Sequence, residues 1–122
     1  MLKDIIKAEQ QKRNDWHNQQ VAQHVAHRDK MIKLKAIIEE LGEGCIRFND
    51  RFFEPTQENL SRNYQPNLGV ANIMGAVNIQ NCQFNEQGEV EWISVCGLGI
   101  FALMGEKHTI ESFFRKIAPY LR

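Results

Sequence analysis

Between Leu2 and Leu41 the chain has no proline and no glycine, and Lys, Glu, Gln and Ala dominate. Such residues lose little freedom in a helix, so this stretch predicts a single long one. Its length constrains everything else. An unbroken helix over this span measures about 60 Å, whereas a compact chain of this size is roughly 35 Å across. Either the helix breaks near Asn14-Asp15, with Asp15 capping a second segment before Trp16, or it overshoots its own domain.

The apolar pattern separates the two halves of this helix. Met31, Leu34, Ile38 and Leu41 recur at helical spacing, with Val21, Val25 and Ile32 leading into them, so the second half packs on a core. Between Lys7 and Gln20 only Ala8 and Trp16 are apolar, yet Leu2, Ile5 and Ile6 precede them. A break keeps those residues within a monomer; a straight helix leaves them for another chain.

Gly42 and Gly44 stop the helix. Residues 45–48 and 51–54 read as two short strands joined by a turn at Asn49-Asp50, which puts Ile46, Phe48 and Phe53 on one face. Pro55 ends the second strand, and Thr56 caps a short helix reaching about Arg62. Residues 63–76 read as a loop with one helical turn around Leu68 to Met74. Val77 to Phe84 reads as a strand bulged near Asn81. After a turn at 85–88 come a central strand over Val90 to Cys96, a turn at Gly97-Leu98-Gly99 and a last strand over Ile100 to Met104. Thr109 then caps an amphipathic helix carrying Ile110, Phe113, Phe114, Ile117 and Leu121, which ends at about Ala118 ahead of Pro119.

The expected fold is therefore α+β and one domain overall. A long helix over residues 1–41 precedes a sheet domain over residues 42–122, with an antiparallel sheet of about five strands (a hairpin, then a three-strand meander) and a C-terminal helix packed on it. This succession resembles the element order of roadblock/longin-type and profilin-like sheets, mostly adaptors that dimerise and dock partners. The likeness is one of order alone.

Formal charge is zero over the chain but unevenly spread: +2 over residues 1–41, −5 over 42–106 and +3 over 107–122. That polarity suits steering of a protein partner and is too small to point to nucleic acid. The longest apolar stretch, Ile93 to Met104, is interrupted by Ser94, Gly97 and Gly99 and falls short of the roughly 20 residues of a membrane span. The first residues turn polar after Ile6, so no secretory h-region is seen and a cytoplasmic location is expected. Cys45, Cys82 and Cys96 make an odd set without C-x-x-C spacing, which suits a reducing compartment, and the sequon Asn59-Leu60-Ser61 is then accidental.

Few residues invite chemistry. His17, His24 and His27 fall within an arc of about 80° on a helix, but no carboxylate completes the set, and solvated positions are the expected reading over a metal or pH-sensing role. Cys96 and His108 are conceivable as nucleophile and base beside the glycine amides of residues 97–99, although a buried strand cysteine is the commoner fate. Gly97-Leu98-Gly99 lacks the rest of a phosphate loop, and Glu86, Glu89 and Glu91 read as a solvated turn. Arg28, Lys30, Lys33 and Lys35 form a basic run expected opposite the apolar stripe, open to water, an acidic protein or, less readily, nucleic acid.

The reading that best joins these features is a non-enzymatic protein–protein interaction module. It would be a small adaptor or inhibitor that self-associates or docks through the first helix, using Leu2, Ile5, Ile6 and Trp16 together with Arg28, Lys30, Lys33 and Lys35. A small enzyme or ligand-binding protein with a Cys96/His108 pocket is the second reading, and a nucleic-acid binder through the basic helix face the third. None of them calls for a metal, a cofactor or a membrane.

Overall fold

The computed structural model describes residues 1–98 and 106–122. The first helix, α1 (Leu2–Leu41), is continuous, with no break at Asn14-Asp15. After it come β1 (Phe48–Arg51), α2 (Gln57–Ser61), β2 (Asn67–Val70), β3 (Ala76–Phe84), β4 (Val90–Leu98), β5 (Glu106–His108) and α3 (Ile110–Ile117), then a 3-10 turn at Ala118–Tyr120. The fold is α+β, and the five strands form an antiparallel meander in the order β1-β2-β3-β4-β5.

One face of the sheet carries the core. Leu68 pairs with Ile79 and Ile79 with Val95, so these three buried side chains share a face. Met31, Leu34 and Ile38 of α1 and Phe113 and Ile117 of α3 complete the same cluster. Each of these large side chains contributes about 1.5–3 kcal/mol through burial, and together they hold both helices against the sheet. Asn78, Trp92, Ser94 and Cys96 alternate to the opposite face.

Several local expectations hold. Thr56 accepts a hydrogen bond from the Asn59 amide and Thr109 one from the Ser112 amide, both at 3.1 Å, as N-caps do. The register of β3 against β4 shifts between Ile79 and Asn81, and this bulge returns Cys82 to the core face. At the end of α1 both Glu43, with φ +49°, and Gly44, with φ +81°, take positive φ after the Gly42 cap.

The hairpin over residues 45–54 does not form. Asn49 and Asp50 lie inside β1, whose partner is β2: Phe48 faces Val70 and Arg51 faces Asn67. A two-residue hairpin turn needs positive φ at both central positions with glycine favoured at the second, or glycine at the first, and Asn49-Asp50 offers glycine at neither. Lys35 of α1 holds the Asp50 carboxylate at 2.8 Å, and Phe53 stacks on Tyr64 at 4.8 Å instead of joining the core face. Residues 68–70, expected as part of a helical turn, form β2. Gly69 serves that pairing, because a Cβ there would sit 2.9 Å from Asn78 Oδ1.

A second register shift, between Gln83 and Phe84, leaves Cys82 opposite Ile93. Gly97 and Leu98, expected to turn, continue β4 opposite Val77 and Ala76. The expected strand over residues 100–104 lies outside the described residues. Among the described residues the strand beside β4 is Glu106–His108, directly ahead of the last helix.

Candidate interaction surface

The sequence sets up a contrast along α1 that the sheet then enforces. Every residue from Met1 to Trp16 is exposed, and burial begins only around His17 to His24. Leu2 remains 71% exposed, Ile5 53%, Ile6 56% and Trp16 59%, so these four keep most of their surface in water. At about 100° per residue, all four fall within an arc of roughly 100° centred on the direction of Met31, Leu34 and Ile38. The apolar seam therefore runs the length of the helix, while the domain covers only its second half.

What keeps the overhang helical is local. Lys12 pairs with Glu9 at 3.1 Å and Gln11 donates to Asp15 at 2.8 Å; such pairs add only about 0.2–0.5 kcal/mol each. The rooted half removes the nucleation cost, after which each further turn is nearly neutral.

Beside the root of the overhang lies a cleft of about 570 Å³, walled on one side by Gln10, Arg13, Trp16 and His17 of α1 and on the other by Gln57, Leu60 and Ser61 around α2. Two histidines anchor the segment that carries this second wall. His24 Nε2 donates to the Phe53 carbonyl, and His27 Nε2 donates to the Pro66 carbonyl at 3.0 Å. A carbonyl only accepts, so each ring carries a proton on Nε2. His24 is 5% exposed and His27 half-buried, which corrects the expectation that both are solvated. Burial pushes the His27 pKa below its ordinary 6.5, outweighing the carbonyl bond, and Lys30 pushes it the same way. Among the described residues no group of three or more His, Cys, Asp or Glu is placed to hold a metal.

The basic run is spent largely on the protein's own sheet side. Lys35 reaches Asp50 at 2.8 Å and Glu39 at 3.7 Å, Arg28 approaches Glu54 at 3.6 Å, and Lys33 sits 4.4 Å above the Phe84 ring. Lys30 lies close enough for its charge to act on His27 and Cys82. Arg28, Lys30 and Lys35 flank the buried stripe, while Lys33 lies on the exposed side, as expected of the run. The Asp50 bond, the largest cause, raises the Lys35 pKa.

The imagined Cys96/His108 pair is not assembled. His108 pairs with Ile93 and so points to the core face, whereas Cys96, three residues beyond Ile93, points to the other. His108 instead contacts Glu106 at 3.2 Å and Ser112 at 3.3 Å. Burial raises the Cys82 pKa, which makes that thiol less reactive. Gly97 and Leu98, two of the three residues of the glycine segment, lie inside a paired strand, and Gly99 lies outside the described residues. The Glu86–Glu91 turn is organised by Asn85, whose side-chain oxygen accepts from the Gln87 and Glu89 amides at 2.9 Å.

A second cleft, of about 440 Å³, opens where β2 and β3 part. Its lining of Pro66, Asn67, Gln80, Asn81 and Ser94 offers a single imidazole, His27, and no second acid or base. The strongest surface is thus the exposed seam of α1 and the cleft at its root. Only the seam was legible in sequence; the His24 and His27 anchors were missed, although the same helical projection places both on the Met31 face. No family model, curated protein or solved structure matches this chain.

Proposed function

We propose that this protein is a non-enzymatic protein–protein interaction module, a small adaptor or inhibitor that docks through the overhanging half of α1. The observation that carries the reading is the row Leu2, Ile5, Ile6 and Trp16, exposed on the seam whose Met31, Leu34 and Ile38 are buried further along the same helix, although its last member, Leu41, expected to pack on the core, is itself 59% exposed. Apolar side chains on a projecting helix are costly to leave in water, and a tryptophan bordering a cleft is the kind of residue on which binding energy concentrates. Engagement of Arg28, Lys33 and Lys35 with the domain's own groups favours a protein over nucleic acid. A cytoplasmic setting belongs to the same proposal, supported by three unpaired cysteines, and no helix among the described residues is long and apolar enough to cross a membrane.

The test is capture with the full chain as bait against an Ile5→Asp/Ile6→Asp/Trp16→Asp variant of unchanged circular dichroism. A protein retained by the wild type and released by the variant is expected. Identical retention by both removes the reading.

A further inference from the structure

We propose that the overhang is occupied by a second copy of this chain, laid antiparallel about a two-fold axis between the helices at the level of Gln11, so that the Leu2–Ile6 end of each helix enters the α1–α2 cleft of the other. This rests on the docking reading above and names its partner.

The first support is spacing. Leu2, Ile6, Glu9, Arg13, Trp16 and Gln20 follow one another at alternating steps of four and three residues, the spacing of a two-helix seam. The second is self-complementarity. Turned about Gln11, Ile6 of one copy meets Trp16 of the other, Glu9 meets Arg13, and Leu2 meets Gln20. A parallel pairing in register would oppose Glu9 to Glu9 and Arg13 to Arg13, so charge selects the antiparallel arrangement. In it each Glu9 carboxylate lies between the Lys12 it already holds at 3.1 Å and the Arg13 of the other copy.

The third support is the cleft. Its α1 wall spans Gln10 to His17, and the same two-fold sets Ile5, Ile6 and Glu9 of the second copy opposite His17, Trp16 and Arg13. Leu60 of α2 then closes over the incoming isoleucines from the other side. The overlap is about 27 Å along helices about 10 Å across, a strip on the order of 300 Å² per chain and small against a standard specific interface, so association no tighter than micromolar is expected.

The experiment measures mass by sedimentation and light scattering on the full chain up to concentrations on the order of 100 µM. The wild type is expected to be a dimer there. Glu9→Arg and Arg13→Glu, both at exposed helix positions and neither expected to affect folding, each bring like charges together and return the chain to a monomer. An equal mixture of the two variants restores the dimer, because one copy then carries arginine at both positions and the other glutamate at both, so each facing pair is again opposite in charge. Ile6→Cys chains mixed with Trp16→Cys chains, both also Cys45→Ser, cross-link as mixed pairs and not with themselves. A wild-type monomer at the highest concentration, single variants that stay dimeric, or a mixture that stays monomeric each overturns the pairing. A monomer leaves the docking reading to the capture experiment, whereas a dimer that the Asp variant forms equally well sinks both.

Discussion

The two halves of α1 share one backbone and one apolar seam but differ in what the seam meets. Met31, Leu34 and Ile38 are fully buried against Ile79, Ile93 and Phe113, while Leu2, Ile6 and Trp16 meet water. The comparison separates two questions that sequence patterns tend to merge. Helix propensity decides whether a segment is helical once nucleated; tertiary burial decides where it is anchored. In the rooted half both agree, and in the overhang only the first is answered within the chain.

Substitutions along the seam should break the two halves unequally. Leu34→Ala is expected to cost about 2–5 kcal/mol in urea unfolding, through lost burial and the cavity left behind. Ile6→Ala, measured dilute, should stay within about 0.5 kcal/mol of wild type, as exposed positions do; a loss comparable to Leu34→Ala would mean the overhang packs on its own domain. His24→Ala comes next. Removing the donor to the Phe53 carbonyl should cost about 1–3 kcal/mol and speed proteolytic cutting between residues 53 and 66, since the second wall of the cleft loses an anchor. Unchanged cutting would show that the Phe53–Tyr64 stack suffices.

The smallest effect is a pH dependence confined to the rooted half. His27 binds its proton less readily in the folded chain than in the unfolded one, so below its ordinary 6.5 the unfolded state takes up more protons. Stability is then fully present above about pH 6.5 and falls as acid reaches the folded pKa. Melting temperatures at pH 7.5 and 5.5 should show this loss, and His27→Gln, which keeps a donor for the Pro66 carbonyl, should reduce it. An equal loss in that variant would assign the effect to another group.

Much of this was legible from local signals. The absence of helix breakers fixed α1, the threonine caps fixed the starts of α2 and α3, and a break in alternation located the bulge after Ile79. The site's apolar row was legible for the same reason, because greasy residues on a polar helix are visible without coordinates. What failed depended on distant partners. Residues 45–54 alternate well enough for a hairpin, and only Leu68-Gly69-Val70, too short to show a period, draws β1 away. The basic run looked solvated because charge along a helix says nothing of Asp50, Glu54 and Phe84 waiting across the chain. His24 and His27 were misjudged by residue type where their position on the Met31 face was the better guide.

Because α1 is one uninterrupted rod, the overhang borrows its shape from the half set in the core. Cut loose, a polar stretch of this length is marginal as a helix in water. Melting of the sheet domain should therefore dissolve the exposed apolar row as well, even though residues 2–16 are exposed throughout. Under the docking proposal, a misfolded copy would then have nothing to offer a partner.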